Sequence, residues 1–126
     1  MKLLRKTIGC VLACAIVYFS STISASALTA TYPCGAATVT ATLNAYSNSA
    51  TASTSINHLP ATVSVSIYGS YYKKGTSIID DIGNGNGSSN GGTSASISNS
   101  GGTWISLRSI HSSYYYGSSV IYELNL

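Results

Sequence analysis

Charge is scarce in this sequence. Only 7% of its 126 residues are Asp, Glu, Lys or Arg, and there are three cysteines and two prolines. Each shortage excludes something. The basic balance resides in Lys2, Arg5 and Lys6; beyond residue 27 remain Lys73, Lys74 and Arg108 against Asp80, Asp81 and Glu123, so 3 − 3 = 0. A nucleic-acid binder needs a basic patch that displaces counterions from phosphate, and two lysines with one arginine do not make one. Asp80 and Asp81 are adjacent, so on a strand they point to opposite faces and are not the facing pair that glycoside hydrolysis uses. Cys34 is the one cysteine beyond residue 27, so no disulfide closes within that part of the chain. Its thiol reads three ways: a buried small apolar group, a reactive group, or half of an intermolecular bridge.

The first residues read "MKLLRKTIGCVLACAIVYFSSTISASA". A short basic start precedes an apolar run from Ile8 to Phe19 and then the small triplet Ala25-Ser26-Ala27. That order predicts a secretory signal peptide over residues 1–27. The run is too short for a comfortable membrane-spanning helix, which takes about 20 apolar residues. The expectation is therefore a secreted, extracellular protein that meets a membrane only through its signal peptide during export. A single domain is expected over 28–126.

Alternation runs through that domain. Val39, Ala41, Leu43 and Ala45 are apolar between Thr38, Thr40, Thr42 and Asn44. The apolar parity becomes even at Ala50, Ala52 and Ile56, then odd again at Val63, Val65, Ile67 and Tyr71. Ala95 with Ile97, and Val120 with Tyr122, Leu124 and Leu126, repeat the pattern. Period-two apolar spacing marks strands with one buried face. Adding "GTSIIDDI" and "TWISLRSIHSS" gives about seven strands with no crossover helix. The fold class predicted is all-β: a small antiparallel β-sandwich, Ig-like or jelly-roll-like. The glycine-rich stretch 83–92, "GNGNGSSNGG", is predicted to be a loop, and "ATASTSIN", free of Lys and Pro, an exposed edge strand.

Motifs that carry chemistry are thin. "GSSNG" places Ser89 in a Gly-x-Ser-x-Gly pattern, but no helix follows to form the strained turn that this nucleophile needs. "DDIGNGNGSSN" lacks a calcium loop's oxygen ligands, because the alternate positions after Asp81 are Gly83 and Gly85. Cys34, His58 and His111 show no zinc spacing, and each histidine is expected to be exposed or capping. Thr38, Thr40 and Thr42 form the kind of row seen on ice-binding surfaces, yet serine replaces most of the threonine in the neighbouring run, so a solvated sheet is the reading. No catalytic residue, metal or cofactor is expected.

Tyrosine is what the sequence has in quantity, with ten residues. Strand parity puts Tyr46, Tyr68 and Tyr72 on the polar faces, and sets Tyr115 opposite Tyr114 and Tyr116. Tyrosine among serine and glycine gives large contact area at low entropic cost. These six are the candidate binding residues. The function expected is surface contact without catalysis: adhesion to a glycan, a cell wall or a protein through Tyr/Ser/Thr faces. The alternatives are a bacteriocin-like or toxin-like antibacterial protein and a self-assembling matrix protein. Self-association would use an edge strand or Cys34.

Overall fold

The computed structural model describes residues 26–126; the signal-peptide reading, with Cys10 and Cys14, lies outside the described residues apart from Ser26 and Ala27. The described chain is all-β, without a helix. Its strands are β1 (Ser26–Cys34), β2 (Ala37–Ala45), β3 (Ser49–Ile56), β4 (Thr62–Tyr72), β5 (Ile79–Ser88), β6 (Gly92–Ser98), β7 (Thr103–Tyr115) and β8 (Ser118–Asn125). They form two antiparallel four-stranded sheets, β1-β2-β3-β6 and β5-β4-β7-β8. The inner faces meet over one apolar core containing Leu43, Ile67, Trp104, Tyr122 and Leu124.

The alternation explains why the sheets stack. The expected apolar positions of β2, β3, β4 and β6 point inward, as do Tyr122 and Leu124 of β8. In β7 a register shift opposite Ser70/Tyr71 lets both Trp104 and Leu107 face the core, although their spacing is odd. A bulge of this kind re-aims a strand by one residue. Tyr32 and Tyr122 stack between the sheets, with ring centres 4.6 Å apart. Gly69 lies beneath Trp104, where a Cβ would come within 2.5 Å of the indole.

Two expectations need correction. "ATASTSIN" is not an edge: β3 pairs with β2 on one side and β6 on the other. Residues 83–88 are not a loop but the second half of β5, paired from Gly83↔Tyr68 to Ser88↔Val63. Side-chain amides explain this second outcome. Asn84 Nδ2 donates to the Ser96 carbonyl at 3.0 Å, and Asn86 Nδ2 donates to the Ser94 carbonyl at 3.3 Å. Their Oδ1 atoms accept from the Gly85 and Gly87 amides, each at 2.9 Å. Each asparagine thus ties the free edge of β5 to the free edge of β6 in the other sheet. Edge groups that would otherwise recruit another strand are occupied. The intervening glycines leave room: a Cβ at Gly83 would meet the Tyr68 ring at 2.8 Å.

Replacing both Asn84 and Asn86 with Ala should cost about 1–3 kcal/mol, since each of the two bonds between the sheets contributes roughly 0.5–1.5 kcal/mol net and water replaces the exposed local bonds to Gly85 and Gly87. Amide exchange at Gly85 and Gly87 should accelerate. An unchanged urea midpoint would show that the amide ladder adds nothing.

Candidate functional site

The outer face of the β5-β4-β7-β8 sheet carries three of the six predicted tyrosines, Tyr68, Tyr72 and Tyr114. Tyr68 stands opposite Gly83 on β5 and Arg108 on β7, and Arg108 stands opposite Asn125 on β8. The Arg108 guanidinium lies 5.2 Å from the centre of the Tyr68 ring, a distance at which the ring quadrupole attracts a cation. One row further along β4, Ser70 Oγ donates to Asp81 at 2.5 Å. Because Gly83 has no side chain the Tyr68 ring lies down against β5, where a Cβ would come within 2.8 Å of it, and beside the ring, where Gly85 also lacks a side chain, the surface is low. The trough measures about 980 Å³ and is lined by Ser66, Tyr68, Asp81, Gly83, Gly85 and Arg108 among others.

The remaining tyrosines lie elsewhere on the molecule. Tyr72 is on the same face, four residues from Tyr68, or about 13 Å at strand spacing. Tyr114 pairs with Thr62 on that face, six residues from the Tyr68 row and so about 20 Å away. Tyr116 projects from the β7–β8 turn. Tyr46 is in the β2–β3 turn, at the end of the sandwich that holds Tyr72 and the β6–β7 loop. Tyr115 differs from the other five: it is half-buried, packed against the core and edge-on to Tyr116 at 4.7 Å. The six therefore do not gather into one cluster. Three share a face, two mark its opposite ends, and one is largely structural.

The outer face of the other sheet is made of hydroxyls. Thr29, Thr42, Ser53 and Ser94 lie in register across all four strands, and Thr31, Thr40 and Ser55 form the next row. Thr42 and Ser53 hydrogen-bond at 2.5 Å. The threonine rows are thus repeated on neighbouring strands, with serine replacing threonine toward β6. No Asp, Glu, Lys or Arg occurs in β1, β2, β3 or β6.

His111 is not exposed, as the sequence suggested, but fully buried between the sheets. Its Nδ1 is 2.7 Å from Thr54 Oγ1, and its Nε2 is 2.7 Å from Ser109 Oγ. The Thr54 hydroxyl donates to the Ser64 carbonyl at 3.2 Å. With its proton so used, Thr54 accepts from Nδ1–H, and the Ser109 hydroxyl then donates to Nε2. Burial lowers the histidine pKa to about 4, against a smaller opposing effect of the Ser53 backbone. The pair resembles a serine–histidine dyad in distance. However, Ser109 is itself fully buried, and the third partner is a threonine where a carboxylate would orient the base.

Sequence parity held the clue to this site. His111 shares the inward parity of Leu107, and Thr54 shares that of Ala52. Cys34 is also fully buried, with its sulfur 3.4 Å from the Ser118 carbonyl. Burial raises the Tyr32 phenol above its ordinary range, and Cys34 and Tyr122 reinforce the shift. Among the described residues no three His, Cys, Asp or Glu side chains converge on a metal position, and no helix is long and apolar enough to cross a membrane. No family model, no curated protein and no solved structure matches this chain.

Proposed function

We propose that this is a secreted, non-enzymatic binding protein that holds an uncharged glycan along the outer face of the β5-β4-β7-β8 sheet. The observation that carries the proposal is the glycine-floored trough beside Tyr68. Its volume is in the range of ligand sites, roughly 300–1,000 Å³. It offers an aromatic ring together with hydroxyl, amide, guanidinium and carboxylate groups whose charges cancel. Tyr72 and Tyr114 extend the track in both directions along one face, as suits a polymer.

The proposal includes residues 1–27 as a signal peptide, with cleavage trimming β1 to start at Leu28. It also includes an Ig-like rather than a jelly-roll arrangement. β3 pairs with β6 and β4 with β7, while the β3–β4 and β6–β7 connections both cross between sheets. Strands B, E, C and F of an Ig sandwich are related in the same way, and β8 takes the place of strand G. Self-assembly is the second reading. β1 supports it over Ser26 to Tyr32, before Pro33, as an uncharged edge segment without the amide ties of β5 and β6.

The test uses the chain recovered from culture supernatant, whose mass should begin at Leu28. It should bind neutral polysaccharide or cell-wall material. Tyr68→Ala should weaken that binding by about 1–3 kcal/mol and change stability by less than about 1 kcal/mol. Wild-type binding by a Tyr68→Ala variant that melts normally would rule out the trough. Sedimentation that grows with concentration without added glycan would favour assembly.

A further inference from the structure

We infer that the β7–β8 turn end of the sandwich takes the terminal ring of an uncharged polysaccharide. This inference rests on the glycan reading of the adjoining face and assigns it a chain-end subsite.

Backbone strain points to the place. Tyr116 has φ 42° and Gly117 has φ 81°. Successive positive φ angles mark the tight hairpin turn whose first position favours Asn, Asp or Gly. A bulky aromatic residue there is an outlier with a conformational cost. Tyr116 recovers little of it through burial, since 73% of the residue remains exposed. Strain held at an apex with the ring in water fits a contact role better than a folding one.

A recess lies beside that ring. It measures about 250 Å³ and is lined by Pro60, Ala61, Thr62, Ser89, Tyr114 and Tyr116. Two phenol rings and a proline supply flat apolar surface, and Thr62 and Ser89 add hydroxyls. None of the six is Asp, Glu, Lys, Arg or His. A pyranose ring has the matching chemistry, with apolar C–H faces and a rim of neutral hydroxyls. A phosphate or a uronic acid would meet no lysine or arginine here: Arg108 is six residues back along β7, and Lys73 and Lys74 are beyond the far end of β4; His58 lies by Tyr115, with ring centres 6.1 Å apart, and does not line the recess. The recess is of a size for one ring rather than for a protein patch.

Continuity supplies the polarity. Tyr114 faces outward on the sheet that carries Tyr68, about 20 Å away at strand spacing. A polymer whose last ring fills the recess can continue over Ser64 and Ser112, which hydrogen-bond to each other, onto the trough.

The experiment compares wild type, Tyr116→Asn, Tyr114→Ala and Tyr68→Ala. The probes are immobilised neutral and anionic polysaccharides, with methyl glucoside, methyl mannoside and methyl N-acetylglucosaminide as free competitors. Tyr116→Asn should melt a few degrees higher, because Asn-Gly suits the turn, yet bind neutral polymer about tenfold or more weakly. One of the methyl glycosides should saturate wild type and not Tyr116→Asn. If Tyr116→Asn and Tyr114→Ala bind like wild type while Tyr68→Ala does not, the chain-end subsite is wrong and the face stands. If wild type binds no polysaccharide, both fail. Preference for anionic polymer, or Tyr116-dependent binding to phosphatidylcholine vesicles or a protein instead of sugar, also overturns it.

Discussion

Trp104→Ala should destabilise the fold by about 3–5 kcal/mol, the range for removing a buried large aromatic side chain. Trp104 is fully buried, and Tyr71 meets it edge-on with ring centres 5.7 Å apart. Two companion variants make the result diagnostic. Trp104→Phe should cost much less than Ala. The indole N–H is buried with no hydrogen-bond partner among the described residues, and Phe removes that unsatisfied donor, which is itself worth about 1–3 kcal/mol. Gly69→Ala should cost about 1–3 kcal/mol by overpacking, because its methyl would also fall within 2.9 Å of Ile97 and Leu107. In the double variant the methyl enters space vacated by the indole, so the two costs should not add. Additive losses in urea melts would show that Gly69 is not small on account of Trp104.

Acid should weaken the protein through His111. The folded-state pKa of about 4 lies below the ordinary 6.5 because burial disfavours the imidazolium. Above pH 6.5 both folded and unfolded chains hold the ring neutral, and its contribution is complete. Between pH 6.5 and 4 the unfolded chain binds a proton that the folded chain does not, so stability falls as pH falls. By pH 4 the loss is on the order of 3 kcal/mol. Protonating Nε2 also forces the Ser109 hydroxyl to turn away. His111→Gln keeps an amide between Thr54 and Ser109 and should flatten the profile in this window. Parallel loss in wild type and variant from pH 6.5 to 4 would assign the acid sensitivity elsewhere.

Strands with β-branched or aliphatic residues at every second position were legible from sequence, because parity records which face is buried. Val63, Val65 and Ile67 in β4 are the clearest case. β1 was not anticipated. "LTATYPC" has the same alternation, but its proline and its place directly after the apolar N-terminal run and its small residues hide it; in the fold Pro33 sits near the strand end, facing outward. β5 was misread for a different reason. Gly83, Gly85 and Gly87 oppose strand formation locally, and the groups that overrule them, the Ser94 and Ser96 carbonyls, belong to the other sheet. His111 was misplaced because its partners Thr54 and Ser109 are polar, and parity reasoning counts only apolar residues. Of the tyrosines, alternation found that Tyr46, Tyr68 and Tyr72 are exposed, and it set Tyr114 opposite Tyr115 without saying which of the two faces water. It gave no sign of the hollow beside Tyr68, which depends on which strand supplies the glycines.

Lys73, Lys74, Asp80, Asp81, Arg108 and Glu123 all belong to the β5-β4-β7-β8 sheet or the hairpin joining β4 to β5. Among the described residues the two halves are electrically unlike. One half projects a field that an approaching ion feels across roughly a Debye length, about 8 Å in physiological salt. The hydroxyl half projects almost none and exerts itself only once water between the surfaces is displaced. Ionic strength therefore acts on encounters with the first half and leaves the second nearly indifferent. In a dilute medium the molecule has a preferred way of turning toward a charged surface, and in brine it loses that preference.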